Sequence, residues 1–217
     1  MNVLFIGNSY TYYNDMPKIF EKLACDNNKD VSAYAVTEGG SNLYNFVSEV
    51  SKASQMVNFT LSEREYDMCF MQDHSMVPVQ NSGLFISGVV LLYKKIKESI
   101  PNIYLYETWG RKRISEENPE LWTVDEGMTK KLLKVYTDAA DMIKAKVSQV
   151  GENFHNLHLS VPEIELYDDD CSHPSYKGSC LAALTHYYTA FGEFPQNTDS
   201  LNLSSNEILI FKSVVCK

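Results

Sequence analysis

The chain has 217 residues, with 19 Lys and Arg against 28 Asp and Glu, a formal net charge of −9. That sign disfavours nucleic acid and anionic membrane surfaces as partners, because both are bound through Lys and Arg. Hydrophobic residues make up 44% of the chain, which excludes wholesale disorder, and the length suits one domain over residues 1–217.

Asn2 to Ile6 is an apolar run without a helical period, ended by Gly7-Asn8, as a buried parallel strand reads. It is much shorter than the roughly 7–15 residues of a secretory apolar region or the about 20 of a membrane span. The chain as given therefore reads as cytoplasmic, with secretion open only if a leader has been removed. Pro17 suits the first turn of a helix that carries Ile19, Phe20 and Leu23 on one face. Val31 to Val36 is rich in β-formers and ends at Gly39-Gly40. Asp67 to Met71 is a further short apolar run, followed by the polar Gln72-Asp73-His74-Ser75. Ile86, Val89, Val90, Tyr93, Ile96 and Ile100 recur at helical spacing until Pro101-Asn102 stops them. Ile103 to Tyr106 reads as a strand ending at Thr108-Trp109-Gly110. From Met128 the stripe Leu132, Val135, Tyr136, Ala139, Ile143 and Val147 predicts one long amphipathic helix closed near Gly151. Ser179 to Phe191 reads as a helix, and Ser204-x-x-Glu207 as the capping box of a last one.

Short strands alternating with helices predict an α/β fold with a mostly parallel central sheet. Ligands bind such sheets beyond the carboxyl ends of the strands. Any site is then built from Gly7–Thr11, Glu38–Asn42, Gln72–Ser75 and Thr108–Gly110.

Ser9 stands directly after the first strand and leads into a helix, where its hydroxyl faces the crevice and helix-terminal amides lie near a developing oxyanion. A plain helix N-cap is an equal reading of the same position. The second cluster is Asp168-Asp169-Asp170-Cys171-Ser172-His173-Pro174-Ser175. A serine nucleophile needs a base, and the base needs a carboxylate to orient it. Asp170 and His173, three apart in a turn, are spaced for that pairing. The plainer readings are a solvated acidic loop or a carboxylate cluster for calcium, and the latter lacks the spacing of an EF-hand loop. Cys171 beside His173 invites a cysteine nucleophile, but adjacent loop residues rarely present both groups to one atom. The five cysteines (Cys25, Cys69, Cys171, Cys180 and Cys216) are odd in number, widely spaced and lack a CxxC pair. They fit reduced thiols better than disulfides or a zinc site. His155, His158 and His186 have no local partner pattern, and His186 in a helical stretch reads as packed.

Gly7-Asn8-Ser9 near one end and Asp170-x-x-His173 near the other resemble the first and last motif blocks of the SGNH (GDSL-like) hydrolases. The usual Gly-Asp-Ser stands here as Gly-Asn-Ser. Glu38-Gly39-Gly40-Ser41 is similar to the second block, and the matches run from residue 5 to about 185. The resemblance implies a three-layer α/β/α sandwich of flavodoxin-like type. It implies Ser9 as nucleophile, His173 as general base and Asp170 as its orienting partner, with no metal and no organic cofactor. The oxyanion hole would combine the backbone N–H groups of Ser9 and Gly40, with Gly39 as the alternative, and a side-chain amide from the third block. There the sequence departs from the family: the usual Gly-x-Asn-Asp is absent, and Gln72 is the amide nearest in kind. A subset of SGNH-like proteins resembles this version, with Gly-Asn-Ser first and Gln-x-x-Ser third. His74 would line the pocket, and Tyr10 and Trp109 would form an apolar or sugar-stacking wall.

The expected activity is hydrolysis of carboxylic esters, with small acyl esters of a carbohydrate or similar small molecule as substrate. The competing reading is a non-catalytic glycan- or ligand-binding module with a degenerate oxyanion hole. A phosphate or nucleotide binder ranks below both, since the first-strand turn has no GxGxxG or Walker pattern. The sequence leaves the oligomeric state open.

Overall fold

Alternation along the first strand sets the architecture: Val3 and Phe5 enter one core, Leu4 and Ile6 another on the opposite face. A computed structural model describes residues 1–112 and 127–217. Its strands are β1 (Asn2–Gly7), β2 (Ser32–Thr37), β3 (Met68–Gln72), β4 (Asn102–Tyr106) and β5 (Lys146–Ser148). They form one parallel sheet in the order β2-β1-β3-β4-β5. The helices are α1 (Ser9–Tyr12), α2 (Met16–Asp26), α3 (Lys52–Glu63), α4 (Val77–Gln80), α5 (Ser82–Ile96), α6 (Gly127–Ile143), α7 (Val150–Ser160), α8 (Tyr176–Phe191) and α9 (Ser205–Val215).

Helices α2, α7, α8 and α9 cover the face of Phe5 and Phe70, whose rings stack at 5.1 Å. Helices α3, α5 and α6 cover the face of Leu4, Ile6 and Met71. The result is the three-layer α/β/α sandwich that the resemblance implies, around the parallel sheet that the alternation predicts. The strand order reverses direction between β1 and β3, so the crevice opens at the carboxyl end of β1. Ser9 stands there. Among the described residues no helix is long and apolar enough to cross a membrane.

Two elements depart from the sequence reading. The stripe from Met128 to Val147 is not one helix: α6 ends at Ile143, Lys144 takes a left-handed φ of 54°, and Val147 lies in β5. Val147 keeps the apolar character of the stripe because, half-buried in this edge strand, it packs against the same core as the helix. Gly151, read as a helix stop, sits instead in the first turn of α7. A Cβ there would lie 2.2 Å from the Thr108 carbonyl oxygen, so glycine lets α7 dock against the end of β4. The capping box at Ser204 and Glu207 forms as expected.

Candidate active site

The Ser9 turn is built on buried amides. The Asn8 side chain accepts from the Tyr10 N–H at 3.1 Å, so Asn8 is the N-cap of α1 and Ser9 is its first residue. The capping reading of Ser9 is thereby corrected. Asn8 is 1% exposed, and its Nδ2 donates to the Ser41 carbonyl at 2.9 Å. Its backbone N–H donates to Gln72 Oε1 at 2.8 Å, and its Oδ1 accepts from Gln72 Nε2 at 3.0 Å. One asparagine thus ties the turn after β1 to the loop after β2 and to the last residue of β3. An aspartate at this position would lose the donor to Ser41. Thr11 Oγ1 adds a bond to Gln72 Oε1 at 2.8 Å. Gly7 is required because a Cβ there would lie 2.4 Å from Gln72 Oε1.

The loop before α8 brings His173 to Ser9. His173 Nε2 lies 2.8 Å from Ser9 Oγ, and His173 Nδ1 is in short contact with Asp170 Oδ2. Asp170 Oδ1 accepts the backbone N–H groups of Ser172 and His173 at 2.9 and 2.8 Å. Partial burial alone would raise the Asp170 carboxyl. The hydrogen bonds from the His173 ring and from those two N–H groups outweigh it and hold the carboxyl below its ordinary range. The three groups lie in series: serine, imidazole, carboxylate. Both ring nitrogens of His173 are committed to Ser9 and Asp170, which leaves none for Cys171. All five cysteines are free thiols.

Further contacts hold this geometry, two of them from Tyr13 and Asn14, which the sequence did not single out. The Tyr13 ring stacks on His173 at 4.1 Å and 9°. Asn14, in a left-handed conformation, donates from Nδ2 to the Pro174 carbonyl and to Ser179 Oγ, each at 3.0 Å. The turn after Ser9 is thereby tied to the loop of His173. The Trp109 indole N–H donates to the Ser172 carbonyl at 3.0 Å, and Tyr10 Oη lies 2.6 Å from Ser172 Oγ. No local pattern announces these contacts, since each joins residues far apart in the chain.

Three expected roles are not met. Tyr10 and Trp109 do not form an exposed wall: they are 5% and 0% exposed, stack on each other at 4.5 Å, and Trp109 stacks on Phe154 at 4.1 Å. Apolar rings beside the crevice gain more from the core beneath it than from solvent. Gln72 is fully buried, and its Nε2 is spent on Asn8 Oδ1 and the Asp73 carbonyl. It has no N–H left for an oxyanion. As for the backbone donors, Gly39 and Gly40 are both exposed, and Gly40 has a left-handed φ of 70°. Among the described residues the N–H groups of Ser9, Gly39 and Gly40 meet no backbone acceptor. α1 is a single turn, so Ser9 contributes one N–H rather than the field of a helix. His74 is half-buried at the end of β3, as expected for a lining residue.

Two carboxyls just beyond the ends of β3 and β4 are fully buried. Burial pushes Asp73 up to about 7 against the N–H bonds of Leu43 and His74. Burial pushes Glu107 up to about 8, and the N–H groups of Glu152 and Gly151 offset it only in part. Both are neutral in the fold at weakly acidic pH, where the unfolded chain has already lost these protons. Stability is therefore highest near the ordinary carboxyl range and falls as pH rises, for Asp73 until about 7 and for Glu107 until about 8. The expected result is a lower melting temperature at pH 8 than at pH 5, with the loss reduced in Glu107→Gln. An equal slope in the variant would assign the pH dependence elsewhere. His186 is likewise fully buried, with Nδ1 2.8 Å from Ser148 Oγ, and burial lowers it to about 3. It is a packed core histidine. Among the described residues no group of three or more His, Cys, Asp or Glu gathers as a metal site.

No protein-family model and no curated protein sequence matches the chain. Solved structures do. A candidate SGNH hydrolase from Slackia heliotrinireducens is 24% identical, superposes with a TM-score of 0.76, and is matched over 88% of this chain and 98% of its own. A DUF4886 family protein from Bacteroides uniformis is 16% identical, with a TM-score of 0.81 over 99% and 93% of the two chains. The acetyl xylan esterase AlAXEase is 14% identical, with a TM-score of 0.66 over 88% and 100%. The chain has the SGNH-hydrolase fold.

Proposed function

We propose that the chain is a serine hydrolase of carboxylic esters that acts through an acyl-enzyme. The observation that carries this reading is the unbroken series Ser9 Oγ, His173 Nε2, His173 Nδ1 and Asp170 Oδ2 at the carboxyl end of β1. The fold shared with hydrolases and esterases supports it.

In the first step His173 Nε2 takes the Ser9 Oγ proton while Oγ bonds to the ester carbonyl carbon. The carbonyl oxygen becomes the oxyanion and is met by the N–H groups of Ser9 and Gly40. The carbon–oxygen bond to the alcohol then breaks, and the alcohol leaves with the proton from His173. Water attacks the acyl-serine, loses its proton to His173, and the carboxylic acid departs as Ser9 regains its proton. Asp170 holds the imidazole with Nε2 facing Ser9 and stabilises the imidazolium of each intermediate.

A small acyl group, acetyl above all, on a carbohydrate or similar small neutral molecule is the proposed substrate class. The net charge of −9 opposes a highly anionic substrate, and a similar structure is named for acetyl xylan. Turnover of p-nitrophenyl acetate, butyrate and octanoate by the wild type and by Ser9→Ala tests the proposal. Acetate is expected to be the best substrate, with all turnover lost in Ser9→Ala; equal rates in the two proteins would sink the enzyme reading. The withdrawal of Gln72 from the crevice favours one alternative, a glycan-binding module with an incomplete hole. Saturable binding of an acetylated glycan without its hydrolysis would favour that alternative.

A further inference from the structure

With Gln72 spent, the hole has two backbone donors, and the place of a third is open. We infer that His74 fills it, as a neutral imidazole whose Nε2–H meets the carbonyl oxygen of an ester under attack by Ser9. The inference rests on the serine-hydrolase reading above.

Position is the first ground. β1 and β3 run parallel with Ile6 opposite Met71, and three residues further on stand Ser9 and His74. β2 pairs with the other side of β1, so the Gly40 loop and His74 flank Ser9 from opposite sides. A carbonyl oxygen above Ser9 would be met from both.

The tautomer is the second ground. The Met76 N–H donates to His74 Nδ1 at 3.2 Å, so Nδ1 carries the lone pair and the proton of a neutral ring resides on Nε2. Among the described residues Nε2 meets no protein acceptor. The segment is fixed around it. Asp73 accepts the His74 and Leu43 N–H groups, and Ser75 Oγ donates to Tyr10 Oη at 3.2 Å. The donor is therefore held in place before the substrate arrives, which is what an oxyanion hole requires.

The charge state is the third. Burial lowers the His74 pKa, and the nearby Arg111 and His173 lower it further. All three influences favour the uncharged ring. A neutral imidazole then serves as a hydrogen-bond donor without putting a second cation beside the imidazolium. Gln72 instead has the role of a buried strut, and the chemistry of the third block moves two residues on.

The test uses the full chain and p-nitrophenyl acetate. His74→Ala is expected to lower kcat by about 10²–10³-fold with KM changed less than about threefold, because the bond forms mainly in the transition state. His74→Gln, whose amide nitrogen reaches roughly where Nε2 lies, is expected to regain at least about tenfold in kcat over His74→Ala. A merely structural role would not produce a kcat loss that the glutamine amide restores. The inference is overturned if kcat of His74→Ala stays within about threefold of wild type, or if glutamine is no better than alanine. Failure of the underlying reading looks different: the wild type would show no turnover that depends on Ser9.

Discussion

On the proposed reading, replacement of His173 by alanine is expected to lower kcat for an ester by about 10⁴- to 10⁶-fold, the range set by removing the base of a serine–histidine–aspartate unit. The base alone is within 2.8 Å of Ser9 Oγ, and the described residues place no second base on that hydroxyl. The loss falls on kcat, because the imidazole acts on the proton in flight rather than on the bound ester. Asp170→Asn has a smaller effect, about 10²–10⁴-fold. Its side chain is 48% exposed, so solvent screens part of its charge. The variant also disturbs the two backbone N–H bonds that shape the His173 turn. Steady-state kinetics of both variants check the order, and a His173→Ala enzyme with near wild-type kcat would remove His173 from the reaction.

Gln72→Ala produces the largest expected loss of stability, about 3–5 kcal/mol, read by urea unfolding. The substitution leaves the Asn8 N–H and the Thr11 hydroxyl without their acceptor, takes the Gln72 donor from the Asp73 carbonyl, and leaves Asn8 Oδ1 with the Tyr10 N–H alone. It also empties the space over Gly7 that the Gln72 side chain fills. Asn8 carries the turn of Ser9, so on the proposed reading kcat is expected to fall as well, through displacement of Ser9. A stability loss below about 1 kcal/mol would mean that the network relaxes around the gap.

The contrast between Gln72 and His173 shows what the sequence makes legible. Asp170-x-x-His173 is a local turn, and a carboxylate three residues before a histidine reaches it through short-range geometry. Its spatial meeting with Ser9 follows once both segments are placed at strand ends, which strand–helix alternation supplies. Gln72 has the right chemistry and the right strand end, yet it is the last residue of a strand whose side chains alternate between faces. It faces the buried amide of Asn8, and no property of one sequence states which of two neighbouring polar residues faces the crevice. Tyr10 and Trp109 fail for a related reason. An aromatic residue at a strand end is equally suited to the rim or to the layer beneath, and only the packing of Phe154 from α7 decides it. Tyr13 and Asn14 were illegible because their partners, His173, Pro174 and Ser179, come from the other end of the chain. The Val147 misreading has a simpler cause. An apolar residue continues a helical stripe or enters a short edge strand equally well, and the left-handed break at Lys144 carries no glycine to mark it.

Incubation of the intact chain with a fluorophosphonate, followed by peptide mass spectrometry, reads the nucleophile itself. Attack on phosphorus expels fluoride and leaves a stable phosphonyl–serine. The expected result is one adduct on the peptide that contains Ser9, absent in Ser9→Ala and greatly slowed in His173→Ala. A wild-type chain that stays unlabelled, or an adduct carried on a different residue, would contradict a Ser9 nucleophile.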